Sequence, residues 1–266
     1  MNKNSTRLIL AGSALLSLFA LARYRSALLG LIPRFLKDST KASWPYRAGV
    51  AAYNRLQIAR LAAKENLFLP PPNPTQAAQI MRDWEQAGQP LPGPGVFKRS
   101  VLRLYGEEFG LTTLVETGTF TGDTPAALKD AFQRIYSVEL NSELVRRVKE
   151  RLRDEAHITI LPGDSETRLP EILEQISEPA LFWLDSHYSG GITSLGSKVT
   201  PILGELAVIL SHPVEGHVVL IDDARDFRHD KGHPTLDELQ AFVADRRPVL
   251  QFEVRDDIIR MVPRSQ

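Results

Sequence analysis

The sequence predicts an α/β fold in which a mostly parallel, doubly wound sheet carries helices on both faces. Short apolar runs alternate with segments whose apolar residues recur at helical spacing, which is typical of βαβ units. At the C-terminus, runs at 249–254 and 258–263 are separated only by a short turn, which predicts a hairpin with an antiparallel strand. With the hairpin, the sheet has seven predicted strands. The five earlier runs lie at 112–116, 134–138, 157–161, 180–184 and 217–221.

The helices between these strands are predicted by their apolar faces and by residues that favour helix starts. Ser, Thr and Asn side chains accept hydrogen bonds from the first free N–H groups of a helix. The predicted N-caps are Thr124, Asn141, Ser165 and Thr235, the last paired with Glu238 in a capping box.

The composition is that of a globular protein with an uneven distribution of charge. The 266 residues include no cysteine, which excludes disulfides and Cys-ligated zinc. Basic and acidic residues balance at 32 each, yet residues 1–60 hold ten Lys/Arg and one acid, Asp38. The rest of the chain is therefore acidic, which argues against nucleic acid as a partner.

Three regions are predicted along the chain. Residues 1–36 form a hydrophobic, basic N-terminal segment, and 37–96 form a helical and proline-rich linker region. In that linker region "LFLPPPNP" and "QPLPGPG" flank a helical piece at 75–87. Residues 97–266 form the sheet domain, whose N-terminal helices precede the first strand.

The N-terminal segment contains an uncharged run of 15 residues, 8–22. This is shorter than the ~20 residues that span a bilayer comfortably. A cleaved signal peptide, a short membrane anchor, and a transit peptide or merely hydrophobic helix all remain open. For an anchor, the basic residues that follow the run predict a sheet domain in the cytoplasm. We therefore expect a cytoplasmic protein with a potential membrane association through its N-terminus.

Polar residues and glycines follow the first three strands, at the edge where open α/β sheets bind ligands. Glycines there would let a ligand lie against the backbone. Glu139 is suited to accepting hydrogen bonds from ribose hydroxyls. Asp164 could accept a hydrogen bond from an adenine amino group. Each feature alone is also typical of a tight turn or a helix cap, and the spacing G-x-x-x-G differs from the dinucleotide fingerprint. The predicted cofactor-binding residues are Glu116, Gly118, Thr119, Gly122, Glu139, Asp164 and Ser165.

The segment "VETGTFTG" at 115–122 resembles the first motif, E-x-G-x-x-x-G, of the class I S-adenosylmethionine-dependent methyltransferases. The resemblance covers roughly 97–264, and the closing hairpin is similar to the reversed last strand of that family. It implies a Rossmann-like fold and S-adenosylmethionine as the cofactor. It also implies that Glu139 holds the ribose and that Asp164 touches the adenine.

The ends of the fourth and fifth strands make the resemblance more specific. They carry Asp185 in "LFWLDSHYSGG" and Asp222 and Asp223 in "HVVLIDDARDF". These segments are similar to those of metal-dependent O-methyltransferases, particularly the macrocin-type sugar methyltransferases, which have Asp-Gly-Asp-x-Tyr and a later Ile-Asp-Asp. Here His187 replaces the second Asp of the first segment. The resemblance implies methylation of a hydroxyl on a sugar, glycan or small molecule.

Three carboxylates at adjacent strand ends would repel each other unless a cation neutralised them. Oxygen ligands favour Mg²⁺, Mn²⁺ or Ca²⁺, so Asp185, Asp222 and Asp223 are the predicted ligands of a divalent cation, with Mg²⁺ the first expectation. His187 can accept a hydroxyl proton near neutral pH, so it is the predicted base, with Asp185 as its catalytic partner. Alternatively, His187 is a fourth ligand or a surface residue, and the Asp pair only begins a turn.

Three functions follow from these patterns. The first is a cation-dependent S-adenosylmethionine O-methyltransferase, for which the glycine-rich 189–198 is a predicted lid. The second is a metal-dependent hydrolase, which would need no ribose-binding acid. The third is a non-catalytic, membrane-tethered module that keeps the fold.

Overall fold

The computed structural model describes residues 68–185, 201–229 and 233–264. Within these ranges one seven-stranded sheet is flanked by α-helices. The strands are β1 (Thr113–Thr117), β2 (Arg134–Glu139), β3 (Ile158–Pro162), β4 (Leu181–Leu184), β5 (Val218–Ile221), β6 (Leu250–Arg255) and β7 (Ile258–Pro263). The helices are α1 (Pro74–Gln86), α2 (Gly95–Glu108), α3 (Asp123–Leu128), α4 (Ser142–Arg151), α5 (Ser165–Leu173), α6 (Ile202–Ser211) and α7 (Leu236–Arg246).

The strand order β3-β2-β1-β4-β5-β7-β6 confirms the predicted Rossmann-like, doubly wound sheet. Strands β1 to β5 are parallel, whereas β7 runs antiparallel to both β5 and β6. The predicted terminal hairpin is therefore confirmed, and each strand lies within one residue of its predicted bounds. Because β1 to β5 are parallel, their carboxyl ends meet at one edge of the sheet.

Each face of the sheet is covered by an apolar cluster. On one face α5, α6 and α7 pack against alternate side chains of the strands, such as Phe182 and Val219. On the other face α2 and α3 pack against the remaining side chains, such as Leu181 and Leu220. This alternation gives the doubly wound arrangement, since strands buried on both faces need apolar residues at nearly every position.

Two of the predicted helix caps are confirmed. The Asn141 side chain accepts hydrogen bonds from the N–H groups of Glu143 and Leu144, at 3.0 and 3.3 Å. Thr235 and Glu238 form the expected reciprocal capping box at the start of α7. Both caps satisfy backbone donors that a helix start leaves unpaired.

The predicted caps at Ser165 and Thr124 are wrong by one and two residues. Asp164 is the N-cap of α5, and its side chain accepts the N–H of Glu166 at 3.0 Å. Gly122 takes the N-cap position of α3 in the left-handed region. In both places, the residue that ends the preceding turn also starts the helix, which a search for the first Ser or Thr does not reveal.

The predicted linker region packs onto the sheet domain in its described part. Helix α1 confirms the helical piece at 75–87, and the Trp84 ring lies 4.8 Å from the Phe97 ring of α2. Arg151 of α4 donates a hydrogen bond to the carbonyl of Leu69 at 2.7 Å. Residues 1–36, His187 and the predicted lid lie outside the described residues, so those assignments stay predictions. Across the described ranges, no helix combines the length and apolarity needed to cross a membrane.

A buried histidine pair lies at the opposite end of the sheet from the carboxyl edge. His217 Nδ1 accepts the N–H of Ala180 at 3.1 Å, and His217 Nε2 lies 2.9 Å from His212 Nδ1. His212 Nε2 in turn lies 3.1 Å from the carbonyl oxygen of Leu173. This chain of bonds requires a neutral His217 that carries its proton on Nε2. Burial, together with His212 and Arg247, lowers the pKa of His217 to about 4.

Acid should therefore destabilise the fold well before most carboxylates titrate. The unfolded chain binds a proton at His217 near its ordinary pKa of 6.5, whereas the folded chain does so only near 4. This stabilisation is complete above pH 6.5 and is lost as the pH falls from 6.5 towards 4. Between pH 7.5 and pH 5, the urea midpoint of unfolding should fall more for the wild type than for His217→Asn. The amide oxygen of that asparagine can replace Nδ1 as the acceptor. The exposed His229 provides the matched control, His229→Asn, and equal pH dependence in all three proteins would contradict the assignment.

Candidate functional site

The glycine turn between β1 and α3 is folded over the end of β2. The N–H groups of Gly118 and Thr119 donate to the Val138 carbonyl at 2.9 and 3.1 Å. Gly118 and Gly122 have φ values of 94° and 76°, a region that residues with a Cβ rarely adopt. A Cβ on Gly122 would also lie 2.6 Å from a methyl group of Val148. Both glycines are therefore required by the backbone path, and Gly122 is required also by its close packing against α4.

Glu139 holds this turn with its carboxylate. Its Oε2 accepts the N–H of Phe120 at 2.9 Å, and its Oε1 accepts the N–H of Asn141 at 2.8 Å. Burial raises the pKa of Glu139, and these backbone hydrogen bonds oppose that rise. Glu139 is thus not a solvated acid ahead of a helix. A carboxylate oxygen has two lone pairs, so each oxygen keeps capacity for a ligand hydroxyl.

Glu116 lies one strand away and is fully buried on the face covered by α2. The Ser137 hydroxyl donates to its Oε2, and the Thr119 hydroxyl lies 2.6 Å from that of Ser137. Burial raises the pKa of Glu116 to about 8, although the hydrogen bonds from Ser137 and Thr124 lower it. The carboxyl is therefore mainly protonated at neutral pH in the ligand-free chain. A cationic ligand group beside Glu116 would favour its ionised form.

The third strand end brings Asp164 and Ser165 to the same edge. Gly163 connects this end to the second strand, because its N–H donates to the Glu139 carbonyl at 3.0 Å. One oxygen of Asp164 is used by the helix cap, and Ser165 is the buried first residue of α5. Asp164 is therefore the cap itself rather than the residue before it, and its proposed contact with adenine stays a prediction.

The predicted metal ligands form one cluster. Asp185, Asp222 and Asp223 each offer a carboxylate oxygen, and these oxygens lie within 4.8 Å of one another. The N–H of Asp185 donates to the Thr117 carbonyl at 3.0 Å, and that of Asp222 donates to the Leu184 carbonyl at 3.1 Å. The ladders of β1, β4 and β5 thus continue into the cluster and set its position.

Lys98 of α2 forms an ion pair with this aspartate cluster. Its ammonium donates to Asp222 Oδ2 and lies 3.5 Å from Asp223 Oδ1. Burial alone would lower the pKa of Lys98, but the carboxylates of Asp222, Asp223 and Asp185 raise it above its ordinary value. Burial and Asp223 raise the pKa of Asp222, and Lys98 opposes that rise. Part of the predicted charge compensation therefore comes from the protein itself.

Arg225 supplies a second cation and connects the cluster to the terminal hairpin. Its Nη1 lies 2.8 Å from Asp223 Oδ1 and also donates to the Asp257 carboxylate in the hairpin turn. The N–H of Arg225 donates to Asp257 Oδ1 at 2.9 Å, and the N–H of Ala224 donates to the Asp257 carbonyl at the same distance. The loop after β5 is therefore held from both sides.

The aspartate cluster fits a divalent cation in donor type and spacing. Three carboxylates within 4.8 Å are ligands of the kind that Mg²⁺ and Mn²⁺ take. Since Lys98 donates to Asp222, a metal ion there would share the Asp222 carboxylate with the Lys98 ammonium or displace it. Asp223 has a φ of 55°, a left-handed conformation that directs the chain back into the 3₁₀ turn Ala224–Asp226. The Asp pair therefore begins a turn and also contributes two carboxylates to the cluster.

Several residues of this edge are not evident from sequence patterns. Ser137 has a detectable signal, since it is a polar residue in an otherwise apolar strand and pairs with Glu116 across β1 and β2. Lys98 has none, because 124 residues separate it from Asp222. Arg225 and Asp257 lie in charged loops where their partners cannot be inferred.

Among the comparisons with known proteins, only that with solved structures finds proteins similar to this chain. No family model matches the chain, and no curated protein matches it. An O-methyltransferase from Bacillus cereus in complex with SAH is 12% identical, covers 80% of this chain and 99% of its own, and has a TM-score of 0.49. TomG from Streptomyces achromogenes, an O-methyltransferase in complex with SAM, is 17% identical, with coverages of 80% and 98% and a TM-score of 0.48. SAH-bound PaMTH1, a methyltransferase from Podospora anserina, is 14% identical, with coverages of 84% and 97% and a TM-score of 0.48.

Replacing Lys98 should show whether the aspartate cluster binds a divalent cation. Lys98→Met leaves buried carboxylates without their ammonium, which should lower the free energy of unfolding by about 3–5 kcal/mol. If the cluster holds a cation, 10 mM Mg²⁺ should raise the thermal midpoint of this variant more than that of the wild type. Differential scanning fluorimetry of the full chain measures both effects.

Lys129→Met is the matched control, because Lys129 pairs with Glu155 at the surface. Such a surface pair contributes little to stability, and its loss should create no response to Mg²⁺. If Mg²⁺ leaves the thermal midpoints of both the wild type and Lys98→Met unchanged, a metal site at this cluster is ruled out.

Proposed function

We propose that this protein is an S-adenosylmethionine-dependent O-methyltransferase that acts on a hydroxyl of a sugar, glycan or small molecule. The proposal includes a divalent cation, Mg²⁺ first, at Asp185, Asp222 and Asp223. One observation carries it. A glycine turn held by buried acids and a cluster of three carboxylates lie at the carboxyl ends of adjacent strands.

The cofactor half of the site is supported by the geometry around Glu139. The turn from Gly118 to Gly122 places backbone against the end of β2, where Glu139 can accept ribose hydroxyls beyond its two backbone bonds. Phe120 in this turn is 38% exposed, and Leu140, the residue after Glu139, is 37% exposed. Such apolar side chains would be covered by a planar base, since stacking buries both surfaces.

Glu116 suits the charged end of the same cofactor. Its carboxyl is protonated in the ligand-free chain because it is buried, and it lies behind the glycine turn. The amino or sulfonium group of S-adenosylmethionine would ionise it, and the resulting charge pair would favour the cofactor over a neutral ligand. A hydrolase would leave both Glu116 and Glu139 without a role in ligand binding.

The acceptor half of the site is assigned to the aspartate cluster. A bound Mg²⁺ would lower the pKa of an acceptor hydroxyl and orient its oxygen. Transfer forms an O–CH₃ bond and breaks the S–CH₃ bond, and the hydroxyl proton passes to a base. His187 is our proposed base, because it is two residues beyond Asp185 in the chain and its imidazole can take a proton near pH 7.

Calorimetry of the full chain with S-adenosylhomocysteine tests the cofactor half. The wild type should bind in the micromolar range. Glu139→Ala should weaken binding by about 1.5–3 kcal/mol, or roughly 10- to 150-fold, because it removes hydrogen bonds to a charged group. Glu150→Ala, at an exposed acid of α4, is the control and should bind like the wild type.

Proton release provides a second measurement in the same titrations. If the ligand ionises Glu116, the binding enthalpy at pH 7 should depend on the ionisation enthalpy of the buffer. Glu116→Gln should remove that dependence. Failure of the wild type to bind S-adenosylhomocysteine at millimolar concentrations would reject the methyltransferase proposal.

Methyl transfer to a panel of sugars, glycans, phenols and alcohols, followed by release of S-adenosylhomocysteine, tests the acceptor half. Chelator should abolish turnover, and Mg²⁺ or Mn²⁺ should restore it. His187→Ala should lower turnover by roughly 10²–10⁴-fold with little change in S-adenosylhomocysteine affinity. His187→Asp, which recreates the acid of the resembled enzymes, should recover part of the rate at lower pH.

His229→Ala, at an exposed histidine after β5, is the control for that replacement. Near-normal turnover in His187→Ala would show that the base is elsewhere. Full activity in excess chelator would remove the cation from the proposal and leave the cofactor half intact.

A further inference from the structure

One edge of the sheet is formed by β6, the first strand of the terminal hairpin. Among the described residues, β6 has β7 on one side and no strand on the other. Its register with β7 is continuous from Leu250 to Arg255, without a bulge or a proline. A regular edge strand of six residues is a template for another strand, because its outer backbone groups have no ladder partner.

The backbone of β6 alternates between groups directed to β7 and groups directed outward. Next to the start of β6, the Val249 carbonyl accepts the N–H of Arg264 at 3.2 Å. At the other end, the two-residue turn closes on Arg255 with a hydrogen-bonded pair. Odd-numbered residues therefore face β7, and the N–H groups of Phe252 and Val254 point away from the sheet. Neither N–H has a hydrogen-bond partner in the part of the chain that the structure describes.

The opposite edge strand, β3, is protected in a way that β6 is not. The N–H of Gly163 donates to β2, so the even-numbered residues of β3 form the outward row. In that row, the N–H of Ile158 donates to the Glu155 carbonyl at 3.0 Å, and Pro162 has no N–H. Proline and short runs of free donors are common protection for a sheet edge. The unprotected donors of β6 therefore indicate a partner strand.

The side chains of β6 form two rows that are complementary to themselves in an antiparallel pair. The apolar row consists of Leu250, Phe252 and Val254. Its first two members pack partly on the core, whereas Val254 is 42% exposed. The polar row is exposed and consists of Gln251, Glu253 and Arg255.

We propose that β6 pairs antiparallel with β6 of a second copy of this chain, with Phe252 at the centre of the pair. Phe252 then lies opposite Phe252 of the second copy, and Val254 lies opposite Leu250. The free N–H of Val254 donates to the Leu250 carbonyl across the pair. Pairing ends there, because the N–H of Leu250 already donates to the Arg247 carbonyl at 3.0 Å.

Charge favours this register over the one centred on the next residue. With Phe252 at the centre, Gln251 lies opposite Glu253 of the second copy, and the amide can donate to the carboxylate. With Glu253 at the centre, two carboxylates would lie directly opposite each other, which destabilises a sheet. A centre at Val254 would bring the turn residue Asp256, whose φ is 53°, into the ladder.

This inference goes beyond methyl transfer and does not depend on it, since β6 lies outside the glycine turn and the aspartate cluster. One strand edge buries less than the ~1,600 Å² of a standard interface, so the dissociation constant should be micromolar rather than nanomolar.

Sedimentation equilibrium of the full chain, from about 1 to about 200 µM, tests the proposal. The wild type should change from monomer to dimer across this range. Val254→Lys should weaken the dimer at least ~10-fold, because its ammonium would lose water opposite Leu250. The fold should tolerate this change at an exposed position. Leu69→Lys is the matched control, 58% exposed beside α4, and should associate like the wild type.

Substitutions at the exposed Gln251 test the register without altering the core. Gln251→Lys places an ammonium opposite Glu253 and should strengthen the dimer by about 2- to 30-fold, since the pair occurs twice in each dimer. Gln251→Glu should weaken it by a similar factor. In the register centred on Glu253, position 251 faces Arg255, so the two effects would be reversed.

The absence of cysteine from the sequence allows a direct test of proximity. A mixture of the Gln251→Cys and Glu253→Cys proteins should oxidise to a covalent dimer, because the two positions lie opposite each other within the span of a disulfide. Either variant alone should cross-link much less, since its two cysteines lie on a diagonal of ~7–8 Å.

Four results would overturn the proposal. They are a monomer at all concentrations up to about 200 µM, undiminished association of Val254→Lys, reversed effects of the two Gln251 substitutions, and no excess of cross-linking in the mixture over the single variants. S-adenosylhomocysteine binding is measured separately, so failure of the methyltransferase proposal and failure of this one are distinguishable.

Discussion

The ion pair between Lys98 and the aspartate cluster is the interaction on which the carboxyl edge of the sheet depends. Two strands, β4 and β5, end in Asp185 and in the pair Asp222 and Asp223, whose carboxylate oxygens lie within 4.8 Å, and such a group cannot remain ionised without nearby positive charge. Lys98 provides that charge from α2, which also covers one face of the sheet. The helix thereby acquires a fixed position over the edge. A cation in the cluster would compete with this ammonium, so metal binding and the position of α2 are physically linked.

The proposed cofactor half of the edge uses buried acids in a different way. Backbone N–H groups oppose the rise in pKa that burial gives Glu139, whereas burial keeps Glu116 mainly protonated. Ionising Glu116 without a ligand would be unfavourable, so its burial lowers the stability of the empty chain as the pH rises from 4.5 towards 8. A cationic ligand would reverse that cost. The two carboxyls at neighbouring strand ends are thus suited to different parts of one ligand.

Most of the fold could be predicted from the sequence, because alternation of apolar runs and helical faces is a local property. The ends of β1 to β5 and the antiparallel hairpin follow from it, and so does the placement of Glu116, Glu139 and the aspartates at one edge. The contributions of Lys98 and Arg225 could not be predicted. An ion pair across 124 residues depends on how a helix docks, and no sequence spacing encodes that. The buried Arg260 could not be predicted either, since it lies in a strand whose pattern indicates apolar core positions.

The hairpin turn has a strained backbone, and its two acid side chains bind two different arginines. Asp256 and Asp257 both have positive φ, at 53° and 64°, where glycine or asparagine would be less strained. Glycine would satisfy the backbone, but it would remove both carboxylates. Asp257 holds Arg225, which reaches the aspartate cluster, and Asp256 accepts a hydrogen bond from Nη2 of the buried Arg260. Consecutive left-handed residues direct these two side chains to different partners, so the turn couples the position of the loop after β5 to the orientation of the buried guanidinium. Acid side chains at this strained turn are therefore explained by the arginines that they position.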